Sequence, residues 1–114
     1  MPPVIDVVCH AQARHDTAED SWIRDPGLTD EGEREAFTLG RSYAHMDRVS
    51  HIISSPLQRT IRTCIVAFEP VLLAAKKVIL LGELQETGVR PCDTGYPPET
   101  LEMDFRPQID TSSA

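Results

Sequence analysis

Three short aliphatic runs constrain this chain more than any other feature: Val4-Ile5-Asp6-Val7-Val8, His51-Ile52-Ile53-Ser54 and Val78-Ile79-Leu80-Leu81. Each is four or five residues long and mostly β-branched or aliphatic, which suits a buried strand and is too short for a helix. Stretches of helical periodicity separate them. Strand, helix, strand, helix, strand in that order predicts a mostly parallel sheet with crossover helices, a partial three-layer α/β sandwich in one domain spanning 1–114. Parallel strands end on one edge, so residues just past the strands converge on a common crevice.

The elements between the runs carry their own signals. Thr29 is a suitable N-cap, and Asp30, Glu31 and Glu33 suit the positive end of a helix dipole. Ala36, Leu39, Gly40, Tyr43 and Ala44 then recur on one helical face, with Gly40 predicted to permit close approach to the sheet. Ser55-Pro56 reads as an N-cap followed by proline at the first helical position. That second helix should bury Leu57, Ile61, Cys64 or Ile65, and Phe68, and stop near Glu69 ahead of Pro70. A further helical piece is expected through Val71 to Lys76, and another between Pro98 and Phe105 with Leu101 and Phe105 inward. The long segment from Ala11 to Leu28 lacks a sustained period and holds Trp22, Pro26 and Gly27, which predicts a loop over the end of the first strand. The ending, Asp110 to Ala114, reads as a solvated tail.

Composition narrows the functions open to such a fold. A net charge of −7 with no basic stripe argues against nucleic-acid and anionic-membrane partners, but a local cation can still bind an anion. Cys9, Cys64 and Cys92 form neither a disulfide framework nor a CxxC metal pair, so three free thiols in a reducing compartment, and no metal, are expected. Met1-Pro2-Pro3 does not open a signal peptide, and Glu69 and Pro70 interrupt the longest apolar run, Ile65 to Ala75. A cytoplasmic location is the expectation.

Candidate chemistry lies just beyond the three runs. Cys9-His10 comes after the first. Ser54-Ser55-Pro56-Leu57-Gln58-Arg59-Thr60 comes after the second, where a helix N-terminus offers N–H groups and Arg59 adds a fixed charge. Glu83-Leu84-Gln85-Glu86 comes after the third and supplies carboxylates. A nucleophile or base, an anion clamp and an acid on one sheet edge suit phosphoryl transfer. Arg62 is expected to be solvated or salt-bridged, and His45 and His51 to lie on the surface.

Read together, these segments resemble the N-terminal half of the histidine phosphatase superfamily, which includes the cofactor-dependent phosphoglycerate mutases. The family's strand-Arg-His-Gly/Ala opening is matched by Cys9-His10-Ala11-Gln12. Its Asp-Pro-x-Leu-Thr-x-x-Gly helix start is matched by Asp25 to Gly32, and its Ser-Pro-Leu-x-Arg-Thr-x-x-Thr motif by Ser55 to Thr63. Leu84-Gln85-Glu86 matches its Leu-x-Glu element, and Pro91 to Gly95 resembles the next segment of some fungal-type members. The resemblance implies that His10 attacks a phosphate monoester to form a phosphohistidine, that Arg59 neutralises the phosphoryl oxygens, and that Glu86 protonates the leaving oxygen. It implies a small phosphorylated metabolite as substrate and no cofactor. Gln12, His15 and Asp16, in the loop that shapes specificity, are candidate substrate contacts.

Two positions depart from the family pattern. Cys9 stands where the family has arginine, and a thiol lacks the charged planar fork that grips phosphate. The family's late strand-His-Gly motif, with its second phosphate-contacting histidine, does not occur in the sequence, so the C-terminal part of the family fold is expected to be missing. A sheet edge left uncovered would then offer a route to self-association. Weak or altered catalysis is the expectation. The alternatives are a non-catalytic phosphate- or metabolite-binding remnant, or recruitment to another biosynthetic step with His10 and Glu86 as an acid/base pair.

Overall fold

The computed structural model of the chain describes residues 5, 6, 8, 10, 13, 27–73, 76–84, 95–105 and 108–112, with Glu83 described by its backbone alone. Three parallel strands, β1 (Ile52–Ser54), β2 (Val78–Leu80) and β3 (Ile109–Asp110), form a sheet in the order β1-β2-β3. The helices are α1 (Asp30–Ser42), α2 (Gln58–Ala67), α3 (Glu69–Leu73) and α4 (Pro98–Phe105), with short 3-10 turns at Met46–Arg48 and Gly82–Leu84. The α/β class and the parallel pairing are therefore as the sequence predicts.

Alternation along the strands decides where the core sits. Ile52, Val78 and Ile109 are in register, and all three are buried. Ser54 and Leu80, two residues on, face the same way and are also buried. This face packs with Ile61, Ile65 and Phe68 of α2 and its cap, Val71 of α3 and Leu101 of α4 in one hydrophobic cluster. The in-register row Ile53, Ile79 and Asp110 points to the other face, where Ile53 is 51 % exposed.

Helix α1 starts as its sequence dictates. The Thr29 hydroxyl accepts from the Gly32 N–H at 3.0 Å, and acidic residues fill the first turn. Ala36 is buried, and Leu39 and Tyr43 pack against the core. Helix α2 buries the predicted Leu57, Ile61, Ile65 and Phe68 face. Pro70 sits at the start of α3, where a missing N–H costs nothing, so the chain restarts rather than breaks there. In α4 Leu101 is fully buried and Phe105 packs at the core's margin, as expected.

Several expectations are corrected. Ile5, Asp6 and Val8 belong to no strand, and Ile5 is 84 % exposed; Val4 and Val7 lie outside the described residues. Instead the third strand comes from Ile109–Asp110, within and beside the segment read as a tail. Two residues cannot display a period, but Ile109 closes on Val78, and the Val78 N–H donates to the Gln108 carbonyl at 2.9 Å. Helix α2 begins at Gln58 with Leu57 as its N-cap, two residues later than the Ser55-Pro56 signal implies. Gly40 accommodates a helix rather than the sheet: a Cβ there would lie 2.2 Å from the Ala67 carbonyl oxygen at the end of α2.

Two cross-links fasten α1. Arg62 Nε donates to Glu33 Oε1 at 2.8 Å on the surface, a salt bridge that contributes roughly 0.2–1 kcal/mol. At the other end, the Tyr43 ring meets Phe68 edge-on at 5.4 Å, while its hydroxyl donates to the Asp6 carboxylate. His45 and His51 are exposed, as expected.

A Gly40→Ala substitution should destabilise the fold by about 1–3 kcal/mol in urea unfolding, because the added methyl meets backbone; helix propensity alone would stabilise by about 1 kcal/mol. The Asp6 hydrogen bond raises the Tyr43 pKa above its ordinary 10.0. Stability from this contact is complete below pH 10 and falls as pH rises through the raised value. Tyr43→Phe should flatten the corresponding part of an alkaline urea-midpoint profile.

Candidate functional site

The β1–α2 junction is built from hydroxyls where the sequence suggested a simple cap. Ser54 Oγ lies 2.7 Å from the Ser55 carbonyl oxygen, and Ser55 Oγ lies 2.6 Å from Thr60 Oγ1. Thr60 Oγ1 is 2.8 Å from the Leu57 carbonyl oxygen. One assignment gives every proton a use: Ser54 donates to the Ser55 carbonyl, Ser55 to the Thr60 hydroxyl, and Thr60 to the Leu57 carbonyl. Leu57 itself has no polar side chain and no side-chain cap, and spends its burial on the core. One turn on, the Thr63 hydroxyl donates to the Arg59 carbonyl at 2.6 Å.

Arg59 sits in this first turn, directly before Thr60. It is 1 % exposed and is the largest of the fully buried side chains. Its position is electrostatically costly twice over. Burial removes a charge from water, and the N-terminal turn already carries the positive end of the helix dipole. The first turn of α2 contains no acidic residue, whereas that of α1 contains Asp30, Glu31 and Glu33. Arg59 is not without interactions, although its buried Nε has no hydrogen-bond partner. Arg62, by contrast, points outward to Glu33 and is salt-bridged, one of the two states the sequence allowed.

The topology brings other segments to the same edge. The Leu81 N–H donates to the Ser54 carbonyl at 2.9 Å, tying the carboxyl ends of β1 and β2 together. The turn Gly82–Leu84 therefore leaves the sheet beside the β1–α2 junction. Gly95 also returns there: a Cβ on it would be 3.6 Å from Leu57 Cδ2 and from the Pro56 carbonyl oxygen.

Of the residues singled out by sequence, Arg59 and His10 are described. His10 is half-buried, belongs to no regular element and has interaction partners. Cys9, Gln12, His15, Asp16 and Glu86 lie outside the described residues. Ser54, Ser55, Thr60 and Thr63 lie in the segments the sequence singles out, but their hydrogen bonding to one another and to the backbone is not foreseen there; its signal is the density of Ser and Thr around an arginine. Among the described residues no cluster of three or more His, Cys, Asp or Glu is arranged to hold a metal ion, and no helix is long and apolar enough to cross a membrane.

The sequence model of the histidine phosphatase superfamily (branch 1) matches residues 5–112. The chain belongs to that superfamily. The match spans nearly all of its 114 residues, including His10, the β1–α2 junction with Arg59, and Glu86. No curated protein matches the chain significantly.

A last feature of this junction concerns Cys64, one turn beyond Thr60. Burial raises its thiol pKa from 9.0 to about 11, with Ser54 opposing the shift. At mildly alkaline pH its thiolate population falls about a hundredfold. Iodoacetamide labelling followed by peptide mass spectrometry should find Cys64 protected in the folded chain and modified on unfolding.

Proposed function

We propose that this protein is a phosphoglycerate mutase-like member of its superfamily that acts on a small phosphorylated metabolite by phosphoryl transfer through His10. The observation that carries the reading is Arg59: a buried cation in an acid-free helix N-terminal turn is complemented best by an anion of high charge density. Membership of the superfamily, whose matching arginine neutralises phosphoryl oxygens, supports phosphate as that anion. In the reaction so read, a neutral ring nitrogen of His10 attacks phosphorus as the ester P–O bond breaks. Arg59 neutralises the equatorial oxygens, Glu86 gives its proton to the leaving oxygen, and water then cleaves the P–N bond. Gln12, His15 and Asp16 are proposed substrate contacts.

Chain geometry is compatible with this arrangement. Asp6 is held at Tyr43, which packs on Phe68 at the far end of α2 from Arg59. Four extended residues reach at most about 13–14 Å, and the nine-residue rise from Arg59 to Phe68 is also about 13–14 Å. A chain anchored at Asp6 is long enough to carry His10 to the level of Arg59.

A second reading, a non-catalytic phosphate binder, is favoured by Cys9. Losing one charged donor to the transition state costs about 3–4 kcal/mol, or a hundred- to thousandfold in rate. Self-association through an uncovered sheet edge is also part of the proposal, supported by the place of β1 at one end of the described sheet; a monomeric mass at micromolar concentration in sedimentation would count against it.

Purified protein should hydrolyse p-nitrophenyl phosphate above a His10→Ala control, and Cys9→Arg should raise the rate by up to about a hundred- to thousandfold. Equal rates for wild type and His10→Ala would remove the catalytic reading. Retained phosphate binding in that case, lost in Arg59→Ala, would establish the binder.

A further inference from the structure

The geometry points to Thr60 as the positioning residue for Arg59, an inference that rests on the phosphate-binding reading of Arg59. An ordinary helix start is held by a polar N-cap side chain. Helix α2 has Leu57 in that place, with no side-chain hydrogen bond, so nothing at the N-cap itself orders the turn that carries Arg59. Thr60 takes over from inside the helix. Its hydroxyl lies 2.8 Å from the Leu57 carbonyl oxygen, while its own N–H donates to that same carbonyl at 3.1 Å. The hydroxyl also receives Ser55 at 2.6 Å, so one side chain ties the last loop residues to the first helical turn.

This arrangement separates positioning from binding. Thr60 has one hydroxyl proton, and the Leu57 carbonyl takes it, so the side chain has no donor left for an anion. Its effect on phosphate must pass through its neighbour Arg59, whose carbonyl is fixed on the other side by Thr63 at 2.6 Å. A buried, pre-set guanidinium loses little freedom on binding, whereas a turn free to fray must be ordered by the ligand.

The test is titration calorimetry with inorganic phosphate on the full chain, below the unfolding temperature of every variant. Thr60→Val keeps the shape and removes the hydroxyl, and should weaken binding about tenfold. Thr60→Ser should restore it to within about twofold of wild type. In an Arg59→Lys background, where the planar fork is already gone, Thr60→Val should change affinity by no more than about twofold. Wild-type affinity in folded Thr60→Val, failure of Thr60→Ser to restore binding, or the same tenfold loss in both backgrounds would overturn the inference. If Thr60→Val does not fold, Ser55→Ala serves: it removes the bond into the Thr60 hydroxyl and should weaken binding a few-fold, and an unchanged affinity would overturn the inference. Wild-type affinity in Arg59→Ala would overturn the phosphate reading itself, and the positioning role with it.

Discussion

The structure depends on keeping an arginine almost wholly out of water in the first turn of α2. A guanidinium at 1 % exposure is among the least favourable groups to bury, and a helix N-terminus is the least favourable place to put it. The adjacent Leu57 and Ile61 are both fully buried as well. The position puts a guanidinium in the turn that follows the carboxyl end of β1.

The surrounding structure is arranged to hold that turn still. Three hydroxyls in sequence, Ser54, Ser55 and Thr60, connect the end of β1 to the first turn of α2. The Leu81 N–H then fastens β2 to the Ser54 carbonyl. Further from the edge, α1 lies close enough to α2 that only glycine fits at position 40, and the Glu33–Arg62 pair spans the two helices on the outside. Each link is modest in energy, and together they hold α2 along its length.

Much of the fold is legible in the sequence, and the reasons differ by element. The α1 cap at Thr29, the inward face of α2 and the burial of Leu101 stem from local chemistry and helical period, which a single sequence displays. The start of α2 is not legible in the same way: Ser55-Pro56 carries the usual signal, while the structure uses Ser55 to reach Thr60 instead. Likewise, Ile5 and Val8 have strand-like chemistry but no sheet partner among the described residues, and β-propensity is decided by such partners.

Sequence by itself determined the family and the segment in which the proposed anion site lies. Ordered motifs and side-chain chemistry are properties of the chain before it folds, and Arg59 stands in the clearest of them. Tertiary structure decided what surrounds that arginine. Its burial, the hydroxyl chain behind it and the helix contact at Gly40 all join residues whose relation exists only after folding. The same holds for β3: Ile109–Asp110 is too short to announce itself, and becomes a strand because Val78 is beside it.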